Sequence, residues 1–544
     1  MIKVILPSAK VVTKDLQGIG RFPAIIYPVD QMRMVDLFYK QYIEESTGVE
    51  SLNVISFEEY EQVEKRTQNR DKVNLIKLDK LNDLGYTISF GIKELELTDD
   101  DDIIINFADV TVSYDLQGDF GDKCFYSYEE PSSKWTYFDN REGCIFNCYD
   151  KIRDYSSIKT KQMFIGVFCI SKPLTLSKLI DKYCGLNDEV DSFWRAIEKY
   201  SIDNSFEMIY TDEWFDVGHI EKYYDLQMAI KSRTFNHIVI DKDRGILTKT
   251  SDDKSKFIGE IKWYLKLPTD IEYARPRIFS YSLEYARPYV SMEYYAYHTL
   301  HELFLFGDLS EEQWKNVFRR IRFVFNDFAR YTIRDTSIKD SLREMYLDKT
   351  IKRIKQMDGI EYFPSFNEDI IINGVRYLSI NDLLDIIPKL VENKLLDIEC
   401  FNIIHGDLCF SNIMIDPNYS FIKLIDPRGK FGKFDIYGDK RYELAKLMHS
   451  IDGKYDYIIK DKFEFSGEKN KFDYRIDYDQ KTDIYKCFLQ IFEEEVNEYD
   501  EEMRLIEALL FFSMIPLHDE SMQQQLIMLG TGIRILDSVY DIKK

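Results

Sequence analysis

His405-Gly406-Asp407-Leu408-Cys409-Phe410-Ser411-Asn412-Ile413-Met414-Ile415-Asp416, followed by Phe421-Ile422-Lys423-Leu424-Ile425-Asp426-Pro427-Arg428-Gly429, is the stretch on which the fold turns. Asp407 and Asn412 stand five residues apart across a tight loop, and Asp426 follows nineteen residues after Asp407. Between them, Ile413–Ile415 and Phe421–Ile425 read as two short β-runs of a hairpin. Phosphoryl transfer needs a carboxylate at the acceptor hydroxyl and oxygen ligands that hold Mg²⁺ against nucleotide phosphates. Asp407 can serve the first need, and Asn412 with Asp426 the second.

Upstream, His237–Ile240 and Gly245–Thr250 read as an antiparallel hairpin with Asp241-Lys242-Asp243-Arg244 as its turn, followed by a helix from about Lys254 to Leu265. Lys249 stands on that second strand and Glu260 on that helix. Val290-Ser291-Met292-Glu293-Tyr294 is an apolar strand ending in polar residues, the pattern of a hinge offering backbone groups to adenine. From Ser310 onward long amphipathic helices dominate. No G-x-x-x-x-G-K-[ST] occurs, so a P-loop kinase is excluded.

These residues resemble the aminoglycoside phosphotransferase and choline kinase family, as does Gly438-Asp439-Lys440-Arg441-Tyr442-Glu443-Leu444-Ala445-Lys446 downstream. The resemblance implies an α+β bilobal, protein-kinase-like domain over 233–544, with a small lobe at about 233–300 and a large helical lobe at about 301–544. It implies ATP and Mg²⁺ as cofactors and Asp407 as catalytic base. His405 would brace the loop, and Asn412 and Asp426 would ligate the metal. Lys249, Glu260, Glu293 and Tyr294 would bind the nucleotide.

In the first half, Lys3–Leu6, Thr87–Phe90, Asp102–Phe107 and Met163–Ile170 read as strands and Met32–Tyr42 as a helix. The alternation predicts a mostly parallel α/β sheet, with a change of module near Lys231-Ser232-Arg233, hence a first domain over 1–232. Ile103-Ile104-Ile105-Asn106-Phe107-Ala108-Asp109 is an apolar strand ending in a carboxylate, and ligands in open α/β sheets lie at the carboxyl ends of strands. Glu213-Trp214-Phe215-Asp216-Val217-Gly218-His219 supplies a second carboxylate before a Gly turn, and the two together can hold one Mg²⁺. Trp214 is expected in the core, His219 as a satisfied helix-start residue, and Asp99–Asp102 as a solvated turn.

This half is similar to the sugar-phosphate nucleotidyltransferase superfamily, which implies a Rossmann-like α/β domain. By that resemblance Asp109 and Asp216 are metal ligands, Met163-Phe164-Ile165-Gly166-Val167-Phe168 is the family's Gly-Val strand, and CTP or another NTP is the donor. Where the family has a Gly-rich loop and then Pro-Lys, this chain has Pro7-Ser8-Ala9-Lys10 through Gly18-Ile19-Gly20-Arg21-Phe22-Pro23-Ala24. Ile25-Ile26-Tyr27-Pro28-Val29 matches the apolar run that follows. Ala24 replaces the Lys, which leaves Lys10, Lys14 and Arg21 to neutralise a triphosphate.

The whole chain has 544 residues, 45% hydrophobic, and a formal net charge of −23. General disorder is excluded, and a nucleic-acid partner is not expected because phosphate binding needs a surplus of Lys and Arg. The eight cysteines include no C-x-x-C pair, and Cys144 and Cys148 lack companions for a zinc set, so reduced thiols are expected. Met1–Pro7 is too short for a signal-peptide core, and the apolar stretch Leu505–Leu517 holds Glu507 and Pro516, so no membrane span and a cytoplasmic location are expected. Read together, the halves predict a bifunctional enzyme. One half would phosphorylate a small-molecule acceptor (a sugar, polyol or amino alcohol such as choline), and the other would activate the phosphate as a nucleotide conjugate for bacterial capsule or surface polysaccharide. The alternatives are a kinase carrying a non-catalytic binding domain and a decayed scaffold. The acceptor, the nucleobase and the oligomeric state are not legible.

Overall fold

Val4, Ile5 and Leu6 have no solvent exposure, nor have Ile103, Ile104 and Ile105, and in this computed structural model the two runs lie side by side as parallel central strands. Uninterrupted apolar runs of this kind suit strands covered on both faces. The structure describes residues 2–29, 32–46, 48–68, 70–112, 120–150, 158–185, 190–219, 222–223, 238–241 and 243–544. The chain divides into two units, Met1–Arg233 and Thr234–Lys544, and the junction expected near residue 232 lies outside the described residues.

The strands of the first unit that bear on the site are β1 (Ile2–Ser8), β2 (Val49–Ser56), β3 (Val73–Lys77), β4 (Ile103–Asn106), β5 (Val110–Val112), β6 (Lys123–Tyr128), β7 (Thr136–Arg141), β8 (Cys144–Asp150), β9 (Gln162–Ile170), β10 (Glu207–Tyr210) and β11 (Trp214–Asp216). Among the described residues one sheet runs β8-β7-β9-β4-β1-β2-β3, with β6 beside β9 and β10 beside β6. It is the Rossmann-like α/β class expected. The expectation of parallel strands holds for β4-β1-β2-β3 and for the β6–β10 pair, but β9 runs antiparallel to β4 and β6, so the sheet is mixed.

Thr87–Phe90 is corrected: it lies in helix α1 (Leu84–Glu94), capped by the Asp83 side chain, which accepts from the Tyr86 N–H. Thr87, Ile88, Gly91 and Ile92 form the buried face, and a Cβ on Gly91 would lie 2.9 Å from Ile55, so the glycine lets the helix rest on β2. A four-residue alternation satisfies helical and strand periods alike. Strands β2 and β3 escape the hydrophobic pattern because Asn53, fully buried, donates to Val4 O at 3.0 Å and accepts from Asn74 at 2.9 Å.

The second unit begins with a small antiparallel sheet. Its strands β12 (Ile238–Asp241), β13 (Ile246–Lys249), β14 (Ile278–Ser282) and β15 (Tyr289–Glu293) stand in the order β12-β13-β15-β14, with helix α2 (Lys254–Lys266) inserted after β13. A helical lobe follows, including α3 (Glu311–Ala329), α4 (Lys349–Lys355), α5 (Lys440–Ile451), α6 (Glu493–Met514) and α7 (Met522–Tyr540). Short strands β16 (Phe401–Ile403), β17 (Ile413–Ile415) and β18 (Ile422–Leu424) sit among the helices, the last two as the hairpin expected. This is the bilobal, protein-kinase-like α+β arrangement expected. No helix among the described residues is long and apolar enough to cross a membrane. Asp99, in the expected turn, caps a helix by accepting from the N–H and hydroxyl of Thr175.

Candidate functional site

In the second unit, the hairpin register sets the spacing of the site. Ile413 pairs with Leu424, and the Ile425 N–H donates to Asn412 O at 3.0 Å, so Asp426 emerges beside the loop that carries Asp407 and Asn412. Asn412 Nδ2 donates to the Asp407 carbonyl at 2.9 Å and its carboxylate at 3.3 Å, which turns Asn412 Oδ1 away from Asp407. The loop is held from behind by one face of α5. Glu443 accepts from the His405 and Gly406 N–H groups, each at 2.8 Å; Lys446, one turn on, pairs with Asp407 Oδ1 at 2.8 Å; Ser450, a turn further, accepts from the Phe410 N–H at 3.3 Å. Residues three and four apart share a helix face. Burial pushes the Asp407 carboxyl up, but Lys446, His405 and Arg428 outweigh it and hold it at about 2.

His405 is buried, and its Nε2–H donates to the Ile425 carbonyl at 2.9 Å, one residue before Asp426. Its ring stands edge-on to Trp263 of α2, whose indole N–H donates to Ile404 O at 2.7 Å. It therefore positions the two loops.

Lys249 and Glu260 meet as expected. Lys249 Nζ lies 2.9 Å from Glu260 Oε1, 3.2 Å from Oε2 and 2.7 Å from Asp426 Oδ1. Burial opposes the charge on Lys249, and Asp426 and Glu260 outweigh it, raising its pKa above the ordinary value. Two further contacts fix α2 over Asp426. The Asp426 N–H donates to the Tyr264 hydroxyl at 3.0 Å, and Gly259 abuts Gly429 so closely that a Cβ on Gly429 would lie 2.2 Å from the Gly259 carbonyl carbon. Asp426 itself has φ +54°, a left-handed conformation that Asp tolerates better than most side chains and that concentrates at functional sites.

Glu293 and Tyr294 sit at the end of β15, but their N–H groups are already engaged, with Arg277 O at 2.8 Å and Gly245 O at 2.9 Å. Of the backbone groups expected to read a base, these two N–H groups are therefore engaged within the protein, and residues 295–297 follow beyond the strand. The Glu293 side chain accepts from Tyr295 and lines a cavity of about 410 Å³ with Tyr273, Arg275, Arg277 and Lys423.

In the first unit, the turn after β4 is anchored by Asn106, whose Nδ2 donates to Phe107 O and Val110 O while its Oδ1 accepts from the Tyr42 hydroxyl. β5 then pairs antiparallel with β11, Val110 opposite Asp216, and the Val217 N–H donates to Asp109 O at 2.7 Å. This ribbon joins carboxylates more than a hundred residues apart in sequence. A Cβ on Gly218 would lie 2.7 Å from Asp109 Oδ2 and 2.9 Å from Asp216 Oδ1, so only glycine leaves both oxygens room. Gly166, at φ +90°, presses on Phe107 and accepts its N–H through the carbonyl, seating the expected Gly-Val strand.

Asp109, Asp216 and Lys10 line a cavity of about 520 Å³, together with Lys134, Trp135, Asn82 and Trp194. Arg21 does not line it; exposed, it pairs with Glu58 and Glu59, and this corrects its expected place. His219 is satisfied by Asp216 Oδ2 at 2.9 Å and packs on Trp135. Burial opposes its charge, and Asp216 and Asp109 outweigh this and raise its pKa. Trp214 is buried as expected. Lys134, Trp135 and Lys446 were not singled out from the sequence. Lys446 was legible only as part of a matched segment, and the other two lie in a stretch without a motif.

Each site offers hard oxygen donors, Asn412 with Asp426 and Asp109 with Asp216, the chemistry Mg²⁺ takes. Among the described residues no group of three or more His, Cys, Asp or Glu side chains is arranged to hold a metal. Two donors per site match an ion that shares its shell with nucleotide phosphates and water.

No protein-family model and no curated protein matches the chain. Among solved structures, it is similar to the CTP:phosphocholine cytidylyltransferase of Streptococcus pneumoniae, with 16% identity over 42% of this chain and 99% of that one at a TM-score of 0.32. It is similar to the inositol-1-phosphate CTP transferase of T. maritima, with 15% identity, 42% and 96% coverage and a TM-score of 0.33. A thermostable mutant of an aminoglycoside phosphotransferase matches with 12% identity over 56% of this chain and 90% of that one at a TM-score of 0.34.

Proposed function

We propose that this chain is a bifunctional transferase. The second unit moves the γ-phosphoryl group of ATP to a hydroxyl of a small metabolite, and the first joins the resulting phosphate to a nucleotide with release of pyrophosphate. The observation that carries the reading is the Lys249 ammonium gripped at once by Glu260 and Asp426, in the unit where Asn412 is hydrogen-bonded to Asp407.

In the kinase half, Lys249 holds the α- and β-phosphates, and Glu260 keeps the ammonium extended toward them. Asp407, ionised at working pH, accepts a hydrogen bond from the acceptor hydroxyl, orients it for in-line attack and takes its proton as the O–P bond forms. Asn412 and Asp426 would hold Mg²⁺, which would supply charge neutralisation for the phosphates. In the first unit, Asp109 and Asp216 fit a Mg²⁺ that CTP or another NTP brings, while Lys10 and Lys134 offset triphosphate charge. A phosphate oxygen of the alcohol phosphate attacks the α-phosphorus and pyrophosphate leaves. The two reactions are consecutive, and fusion raises the local concentration of the intermediate. Such a product suits the supply of bacterial surface polysaccharide, in the cytoplasm where nucleotides are made.

The test is ADP release from ATP and pyrophosphate release from CTP or UTP over a panel of hydroxylated metabolites, with Mg²⁺. Silence in both assays across sugars, polyols, amino alcohols and hydroxy acids refutes the proposal. A second reading, a kinase with a non-catalytic first domain, is favoured by Ala24 and by the engagement of Arg21 with Glu58 and Glu59. Pyrophosphate release that survives Asp109→Asn and Asp216→Asn unchanged excludes the metal site assigned to that domain.

A further inference from the structure

The register of β13 against β15 sorts the side chains of the small sheet. Lys249 stands opposite Val290 and Leu247 opposite Met292, while Thr248 Oγ1 meets Ser291 Oγ at 2.8 Å. Successive residues of a strand face opposite ways, so Glu293 leaves β15 on the Ser291 face, away from the face that carries Lys249. On that far side lies the cavity of about 410 Å³, lined by Arg275, Arg277 and Lys423 along with Glu272, Glu293 and Tyr295. None of Asp407, Asn412, Asp426, Lys249 and Glu260 lines it.

The three cations come from segments bonded to one another. Lys423, between buried Ile422 and Leu424 on β18, donates to Tyr273 O at 2.8 Å and to Arg275 O at 3.3 Å, and its ammonium lies 5.3 Å from the centre of the Tyr295 ring. The Glu293 N–H donates to Arg277 O at 2.8 Å. The carboxylates beside them are engaged: Glu272 pairs with Arg275 Nη2 at 2.7 Å, and Glu293 accepts from the Tyr295 hydroxyl at 2.7 Å. The cations are not matched. Arg275, its side chain nine-tenths buried, spends Nη1 on Pro276 O at 3.0 Å and leaves the buried Nε without a partner. Arg277 stacks on Phe279, 5.3 Å from the ring centre, and among the described residues neither it nor Lys423 forms an ion pair. Burial draws the Lys423 pKa below its ordinary value, with Glu293 opposing and Arg275 adding to the shift. Unmatched donors around a cavity, in a chain of net charge −23, are stabilised by an anion that brings its own acceptors.

We propose that Arg275, Arg277 and Lys423 form a binding site for a phosphate-class oxyanion in this cavity, on the far face of β15 from Lys249. Two guanidinium groups and an ammonium arriving from separate segments suit a tetrahedral group with several charged oxygens, whereas a planar carboxylate saturates one fork. The site stands apart from the phosphotransferase reading, since it shares no residue with the groups assigned to that chemistry.

The experiment is modification of the full chain by phenylglyoxal, with Arg277 read by peptide mass spectrometry against the exposed Arg334, which does not line the cavity. Potassium chloride holds the ionic strength constant. Inorganic phosphate, pyrophosphate and glycerol 3-phosphate are titrated separately. Labelling of Arg277 relative to Arg334 is expected to fall about tenfold once the best of them stands roughly tenfold above its dissociation constant. Protection by phosphate or pyrophosphate identifies a free anion as occupant, and protection by the ester alone identifies a phosphorylated metabolite. Unchanged labelling with all three overturns the site, and malonate protecting as well as phosphate overturns the class. Lys423→Met should move the midpoint upward by about tenfold or more, and Lys249→Met should leave it in place. A midpoint indifferent to Lys423→Met puts the anion outside the cavity, and one that follows Lys249→Met puts it at the nucleotide; either overturns the proposal. The titration of the parent protein can refute the site by itself, whether or not a variant folds.

Discussion

Asp407 and Lys446 form an ion pair of 2.8 Å in which the carboxylate belongs to the loop 405–412 and the ammonium to the helix that carries the loop. The pair keeps Asp407 ionised, with a pKa of about 2, at any pH where the enzyme would be assayed. Asp407→Ala is expected to lower turnover by about 10²- to 10⁴-fold with ATP affinity nearly unchanged. Full-rate turnover in that variant would remove Asp407 from the chemistry.

Lys446→Met separates charge from shape. Without the ammonium, burial of Asp407 is unopposed by its main partner and the carboxyl pKa rises. Turnover should then fall first at the acid end, and a pH–rate profile should show its acid limb moved upward relative to the parent. An unshifted limb would mean that Lys446 is not what holds Asp407 ionised.

Gly429→Ala places a methyl 2.2 Å from the Gly259 carbonyl carbon at a residue with φ +67°. Helix α2 must move, and Lys249 then loses Glu260. The expected result is loss of nucleotide binding by calorimetry, with a milder effect for Gly259→Ala, whose Cβ would stand 3.1 Å from Gly429 O.

Glu507, on α6, is wholly buried, and burial, with Asp452 nearby, lifts its carboxyl well above the ordinary value. The sign follows from linkage: a raised folded-state pKa gives stability that is complete below the unfolded value of about 4.3 and drains away as pH rises toward the folded one. Glu507→Gln should remove this dependence and gain about 1.4 kcal/mol relative to the parent for each pH unit in that interval. Denaturant unfolding at pH 5 and pH 8 checks it. No gain at the higher pH would refute the assignment.

In the first unit, Asp216→Asn should abolish pyrophosphate release and leave ATP-dependent phosphorylation untouched. Lys10→Met should raise the KM for the nucleotide. Arg21→Met should change it by less than about twofold, because an exposed pair with Glu58 and Glu59 contributes little. A large effect of Arg21→Met with none of Lys10→Met would reverse the placement of the two cations.

The site around Asp407 was legible because its parts are close in sequence, so a loop, a hairpin and a second Asp fix their own geometry. Lys249 and Glu260 were legible from order alone. Arg21 misled because a cation near a Gly-Pro segment fits a phosphate in one dimension, while in three it finds Glu58 first. The amides of Glu293 and Tyr294 depend on which strand faces them, which no single segment reveals. Thr87–Phe90 was too short to decide between periods, and β2 and β3 hide their hydrophobic pattern behind the buried Asn53–Asn74 pair.

The backbone contact of Gly259 with Gly429 bears on how this protein can vary over time. Gly429 admits no side chain while Gly259 stays in place, whereas a methyl at Gly259 needs its neighbour to give by only a few tenths of an ångström, so related chains that keep this packing should keep glycine at 429 above all. A lineage that lost Gly429 would have to reseat the helix that carries Glu260 against the loop that follows Asp426.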